Sequence, residues 1–302
     1  MHACCANRRH EAALSLGPAE LRAEAQGVSA HLPGLILSAE RLSHMVAPGA
    51  HGLRRAGPGE DFWQYRPAER GEAARNIDWR RSARSDGEFV RDREAQSAQT
   101  LSLWVSGGQG MRYSGDPERV TKVQRAQVLA LALGMIALRG GEKVGLLGQP
   151  ARAGRRQVER LAQAISASVA AETDGDAPLP DVLRPNQRLV IISDFLTDPS
   201  WVQALLARAG SIGLRGVLLQ VLDPDEEEFP FSGAVEFRSL SGTMRHDSRD
   251  AAGLREAYLL RLAERRDWLL KHAQGAGWHF GQHRTDHSAA VALGWLYQVL
   301  GG

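Results

Sequence analysis

The chain has 302 residues, with 37 basic and 35 acidic side chains and a formal charge of +2. Apolar residues make up 43%, which excludes a mainly disordered chain. A balanced charge gives no electrostatic footprint for nucleic acid, and a core of this size stands without disulfides or a structural metal.

Cys4 and Cys5 are adjacent and make a poor pair for an ordinary disulfide, so they read as incidental. The longest strongly apolar run, Val128 to Leu138, is about half of a membrane span. No basic-then-apolar leader opens the sequence. A cytoplasmic location without membrane insertion is the expectation. Three parts are expected: a flexible segment over 1–31, an extension rich in Arg and Trp over 32–99, and an α/β domain over 100–302.

From Thr100 strand and helix patterns alternate. Leu101, Leu103 and Val105 share one face of a strand. Asp116-Pro117-Glu118 reads as the start of a helix, with a capping Asp and Pro at the first turn. Its positions from Val128 onward are nearly all apolar, and Gly140-Gly141 ends it. Lys143 to Leu147 is a short strand, and Arg156 to Val169 a helix. Leu189 to Ile192 and Gly216 to Leu222 are continuous apolar runs, as in parallel strands covered on both faces. Asp198-Pro199 caps a helix between them. Leu254, Tyr258, Leu262, Leu269 and Ala273 stripe a long helix. Trp278 to His283 is the last strand, and Thr285-Asp286 is expected to cap the final helix. The order predicts a doubly wound, mostly parallel α/β sheet. Ligands of such sheets bind beyond the carboxyl ends of the strands, which points to the loops after Val105 and Ile192.

The first loop, Ser106-Gly107-Gly108-Gln109-Gly110, lacks the Gly-Lys-Ser/Thr of a phosphate-binding loop. The second carries Asp194, a candidate functional carboxylate. One carboxylate is thin support for a hard cation, which takes several oxygens. His279, His283 and His287 have helix-like spacing but fall on a strand and the element after it, so they predict no metal site. No nucleophile–base pair is visible, and no cofactor is expected.

The segment from Gly57 to Arg93 mixes Arg with Asp and Glu around Trp63 and Trp79. It reads either as a solvated, salt-bridged surface or as an ordered platform of arginine forks, and two Trp in a polar stretch favour the platform. If the segment is strand-like, Asp78 and Arg80 share one face, and Trp79 points the other way as an anchor against the core. Arg75, Asp78, Arg80, Arg84 and Gln109 are then the candidate partner-binding residues.

Gly57-Pro58-Gly59-Glu60-Asp61-Phe62, Arg75-Asn76-Ile77-Asp78-Trp79-Arg80, Val90-Arg91, Leu222-Asp223-Pro224 and Thr285-Asp286 together carry a resemblance. Over roughly residues 32 to 300 the chain resembles the bacterial family called domain of unknown function 58, whose members carry a von Willebrand factor type A-like domain. Gly71-Glu72 stands where that family typically has Gly-Asp. Such domains commonly bind a divalent cation through Asp-x-Ser-x-Ser after the first strand and an Asp after a later one. Here the first motif falls on Ser106, Gly108 and Gly110, and only Asp194 matches the later carboxylate. The resemblance therefore implies a degenerate metal-ion-dependent adhesion site holding no metal. It also implies a partner, a MoxR-type AAA+ ATPase and that ATPase's protein client. A non-enzymatic adaptor is the expected function. The alternative is a hydrolase or nucleotide-dependent enzyme using Asp194 and the Gly107 to Gly110 loop.

Overall fold

The computed structural model describes residues 33–46, 62–67, 77, 79–83, 89–93, 99–171, 177–233, 235–238, 245–248 and 252–301. Five strands form one parallel sheet: β3 (Thr100–Val105), β4 (Lys143–Leu146), β5 (Gln187–Ser193), β6 (Arg215–Leu222) and β9 (His279–Arg284). Their order is β4-β3-β5-β6-β9, so the chain moves to one side of β3 and then returns past it. The sheet lies between two helical layers, and strand alternation sorts its side chains between them. Leu101, Leu103, Val105, Val190, Ile192, Val217, Leu219 and Val221 join the core under α3 (Lys122–Arg139), α4 (Arg156–Ala171) and α8 (Ala289–Gly301). Leu189, Ile191 and Leu218 join the opposite core under α5 (Ser200–Ser211) and α7 (Ala252–Gly275). This is the doubly wound α/β class that the sequence predicts, with β9 in the same sheet.

The edge beside β4 is partly closed. After β4 the chain folds back, and Val144 and Arg152 exchange backbone hydrogen bonds of 2.9 and 3.1 Å as an antiparallel bridge. Gly145 permits this approach, because a Cβ there would lie 2.9 Å from the Ala151 Cα. A helix over 33–46, α1, adds Ala39 and Leu42 to the first core. Arg139 of α3 ties it down through the Ser43 hydroxyl and carbonyl at 3.1 and 3.2 Å. Outside the sheet, β1 (Phe62–Pro67) pairs antiparallel with β2 (Phe89–Arg93), and β7 (Val235–Arg238) with β8 (Arg245–Ser248). Two further helices, α2 (Trp79–Ser82) and α6 (Pro224–Glu228), are short.

Three local expectations need correction. The helix expected at Asp116 begins at Lys122, because Thr121 and Gln124 form a reciprocal capping box there, while Asp116 only closes a turn onto the Glu118 amide. The last helix is not capped by Thr285-Asp286. Asp286 is held by the Arg284 guanidinium at 2.8 and 3.1 Å, and Ser288 accepts from the Ala290 amide instead. Finally, Trp79 is no core anchor: it opens α2 and is 57% exposed. The strand alternation that would have turned it inward is absent, because the backbone is helical from Trp79 on.

Candidate functional site

The carboxyl ends of β3, β5, β6 and β9 meet the amino end of α3. At that rim the sequence-predicted Asp194, directly after β5, is 6% exposed. Both of its carboxylate oxygens are engaged. Oδ1 accepts from the Leu196 amide at 3.2 Å, and Oδ2 accepts from Lys122 Nζ at 2.9 Å. Lys122, the first residue of α3, is fully buried. Its ammonium also donates to Glu226 Oε1 at 2.6 Å. An ammonium there sits at the positive end of the helix macrodipole and is locally disfavoured. The two carboxylates reverse that balance. Burial opposes the charge, but Asp194 and then Glu226 outweigh burial and hold Lys122 above the ordinary lysine value. Burial in turn pushes Glu226 above the usual carboxylate range, although Lys122 opposes it.

Glu226 is placed by the short helix α6. Asp223, fully buried at the end of β6, caps it by accepting from the Asp225 amide, and Glu226 Oε2 reaches back to the Asp223 amide at 2.9 Å. The Glu226 carboxylate thus spends one oxygen on the cap and the other on Lys122. Asp223 is itself paired with Arg119 at 2.7 Å and accepts from the Thr285 hydroxyl at 3.2 Å. Gln220 Nε2 donates to the Asp194 carbonyl, and Arg266 Nε donates to Gln220 Oε1. Arg266 also pairs with Glu227. Asp194, Asp223 and Glu226 are therefore tied to Lys122 and Arg119 in one continuous network.

Phe195 follows Asp194 with φ of 53°, left-handed for a residue with a side chain. Three contacts over-determine it: its amide donates to the Ser193 hydroxyl, its side chain is buried, and its ring stacks on Trp201 at 5.7 Å. Beside the network, burial and then the charges of Asp225, Asp223 and Glu226 push the Tyr113 phenol up to about 12. Burial likewise raises Tyr258. Both phenols stay protonated at neutral pH, so neither is a ready nucleophile.

Of the first-loop positions, Ser106 is buried; its amide donates to the Ile192 carbonyl and its hydroxyl accepts from the Gly108 amide at 3.4 Å. Gly108 precedes a short 3-10 turn, Gln109–Arg112, in which Gly110 sits and Gln109 is exposed. The hydrogen bonds of Ser106, Gly108 and Gly110 run to Ile192 and within the loop, to Met111 and Tyr113, and not to Lys122. The structure therefore brings Asp194 into the network and leaves Ser106, Gly108 and Gly110 beside it. Arg75, Asp78 and Arg84 lie outside the described residues, as do Cys4 and Cys5. Arg80 falls within α2. Among the described residues no group of three or more His, Cys, Asp or Glu could hold a metal ion.

Sequence reasoning missed Lys122, Arg119 and Glu226. The signal for Glu226 was present in Asp223-Pro224-Asp225-Glu226, a capping box at a strand's carboxyl end. Lys122 showed only as a cation inside a Thr121–Gln124 capping box, opening an otherwise apolar helix.

Uncharacterized proteins of Mycobacterium tuberculosis and Mycobacterium bovis are 27% identical over 289 residues, covering 90% of this chain and 88% of theirs. An aerotolerance-related membrane protein from Bacteroides fragilis superposes with a TM-score of 0.42 at 16% identity, over 68% of this chain and 98% of that one. The conserved hypothetical protein BatB from Bacteroides thetaiotaomicron gives a TM-score of 0.38 at 13% identity, over 67% and 98%. An uncharacterized membrane spanning protein from Vibrio fischeri gives 0.18 at 13%, over 67% and 96%. The expected cytoplasmic location is withdrawn, because two of these three neighbours are described as membrane proteins. No helix among the described residues is long and apolar enough to cross a membrane. The model of the family described as protein of unknown function DUF58 matches residues 64–267, two thirds of the sequence, and the chain belongs to that family.

Proposed function

We propose that this chain is a non-enzymatic protein-interaction adaptor that works with a MoxR-type AAA+ ATPase and that ATPase's protein client. The observation that carries the reading is the Lys122 ammonium between Asp194 and Glu226. A buried carboxylate with both oxygens already hydrogen-bonded is a poor general base and a poor metal ligand. The rival hydrolase or nucleotide-dependent chemistry would need Asp194 free. In this reading the degenerate adhesion site carries its own cation, and the rim of the sheet is presented in one conformation whether or not divalent ions are available.

The test is capture of the MoxR-type ATPase from the native cell on the tagged full-length chain, run in EDTA and in millimolar magnesium. Equal recovery in both supports the reading. Recovery that needs magnesium, or none in either, overturns it. Thermal shifts with nucleotides and divalent ions are expected to be flat, and a saturable shift with a nucleotide would revive the enzyme reading.

A further inference from the structure

Residues 152–160 hold four arginines, Arg152, Arg155, Arg156 and Arg160, against one acid, Glu159. All five are exposed, and none makes an ion pair or a side-chain hydrogen bond among the described residues. The arrangement runs against local preference. Arg155 and Arg156 stand at the positive end of the α4 macrodipole, and Arg156 and Arg160, four apart, are like charges on one helix face. Each feature costs stability, and sequences break such rules where a site requires it.

The backbone beneath these arginines is fixed. The buried Gln157 donates through Nε2 to the Val144 carbonyl at 2.9 Å, and the Arg152 amide donates to the same oxygen at 3.1 Å. One carbonyl thus ties the return segment that carries Arg152 to the first turn of α4, which carries Arg156. Between that segment and α4 lies a cleft of about 290 Å³, lined by Arg152 and Arg160 with Leu146, Pro150, Leu161 and Ala164. It falls just short of the roughly 300–1,000 Å³ of small-ligand pockets, and it suits an inserted side chain better than a cofactor. The Leu146 carbonyl already accepts from the Gln149 amide at 2.9 Å, so recognition here falls to side chains rather than to strand pairing.

We propose that this ridge and cleft bind an acidic segment of a partner protein, the arginines receiving its carboxylates and the cleft one apolar side chain set among them. Arginine forks match carboxylates, and a fixed backbone lowers the ordering cost of binding. A flat bilayer surface would leave the cleft empty, and no aromatic side chain lines it to stack a nucleic-acid base. The inference rests on the adaptor reading for a protein partner, but its test uses no ATPase. A chain that captures the ATPase and binds no acidic peptide fails only here, and a chain with the opposite behaviour fails only there.

The experiment titrates the full-length chain into fluorescein-labelled Glu-Glu-Leu-Glu-Glu, and into its Glu-Glu-Ser-Glu-Glu and Gln-Gln-Leu-Gln-Gln counterparts, and reads anisotropy at low salt. The acidic leucine peptide is expected to bind saturably. The serine peptide should bind about tenfold more weakly, for one leucine left unburied, and the glutamine peptide more weakly still. Arg156→Gln combined with Arg160→Gln should weaken binding about tenfold, through two exposed ion pairs lost. Both positions are exposed and unpaired, so the variant should melt as the wild type does. Arg215→Gln combined with Arg261→Gln removes the same charge from exposed positions on β6 and α7, and should leave binding unchanged. Absence of saturable binding, equal binding of the serine or glutamine peptide, no loss in the Arg156 and Arg160 variant, or an equal loss in the control would each overturn the proposal. So would sedimentation with vesicles of equal parts phosphatidylcholine and phosphatidylserine that needs Arg156 and Arg160, by a chain that binds no peptide, which would assign the ridge to a lipid surface.

Discussion

On the carboxyl rim of the sheet, Lys122 lies without exposed surface between two carboxylates, whereas Arg284 leaves 24% of its side chain in water among three. In the buried cluster each partner is needed once: Asp194 and Glu226 have no other cation within ion-pair reach among the described residues. In the exposed cluster Glu227 also has Arg266, and Glu228 and Asp286 face solvent. Burial therefore turns an ion pair from a replaceable contact into a structural requirement. The desolvation cost has already been met, and removing one partner strands the others.

Removing the buried cation should break the comparison most strongly. Lys122→Ala is expected to lower the unfolding free energy by about 3–5 kcal/mol, as loss of one partner from a buried pair does. The variant leaves two carboxylates facing the vacated position. Millimolar magnesium should then raise its melting temperature while leaving the wild type unchanged, because the cation would supply the missing charge. Denaturant and thermal melts with and without magnesium read both effects. A variant as stable as the wild type would show that the network is a replaceable contact after all.

A second, pH-dependent test probes the same buried tier at His283 on β9, which is 6% exposed with no partner for its Nε2 atom. Burial, and then the Arg125 charge, lowers its pKa from 6.5 to about 4. The unfolded chain therefore takes up the proton first as pH falls, and stability should drop between those two values. The full loss is on the order of 3 kcal/mol, the free energy of such a shift. Glu226, raised by burial, works the opposite way: its contribution is present below the usual carboxylate range and is lost as pH rises through its raised value. Urea midpoints of the wild type and His283→Leu, followed from pH 7 to pH 4, separate the two. An unaltered acid slope in His283→Leu would remove His283 as its cause.

Much of the sheet was legible because its signal is local. Leu101, Leu103 and Val105 alternate, and Leu189 to Ile192 and Gly216 to Leu222 are apolar throughout, so strand identity and the buried faces follow from periods of two and from continuous runs. The site was legible only at Asp194. Its partner Lys122 lies 72 positions away and Glu226 is 104 positions from Lys122, and no local pattern links them. A lysine on the first turn of a helix even runs against the macrodipole, so local rules count it as a surface residue. Trp79 failed for the complementary reason: its Asp-Trp-Arg setting reads as a strand, but four helical residues put the indole outside.

The smallest expected effect sharpens the comparison from its exposed side. Arg284 pairs with Glu227, Glu228 and Asp286 at 3.6, 2.8 and 2.8 Å. The Asp286 carboxyl is held below the usual range chiefly by its hydrogen bond to Arg284. Arg284→Ala leaves those carboxylates next to water rather than sealed in the core, and Glu227 keeps Arg266. The cost should stay under about 1 kcal/mol, the range of exposed ion pairs. In 1 M sodium chloride the Debye length shrinks to about 3 Å, so the difference from the wild type should all but vanish. The Lys122→Ala deficit should persist at the same salt concentration, since ions screen a sealed pair far less than an open one. Paired melts of the two variants at low and high salt measure this. A salt-resistant loss of several kcal/mol in Arg284→Ala would place Arg284 in the buried class and erase the distinction between the two clusters.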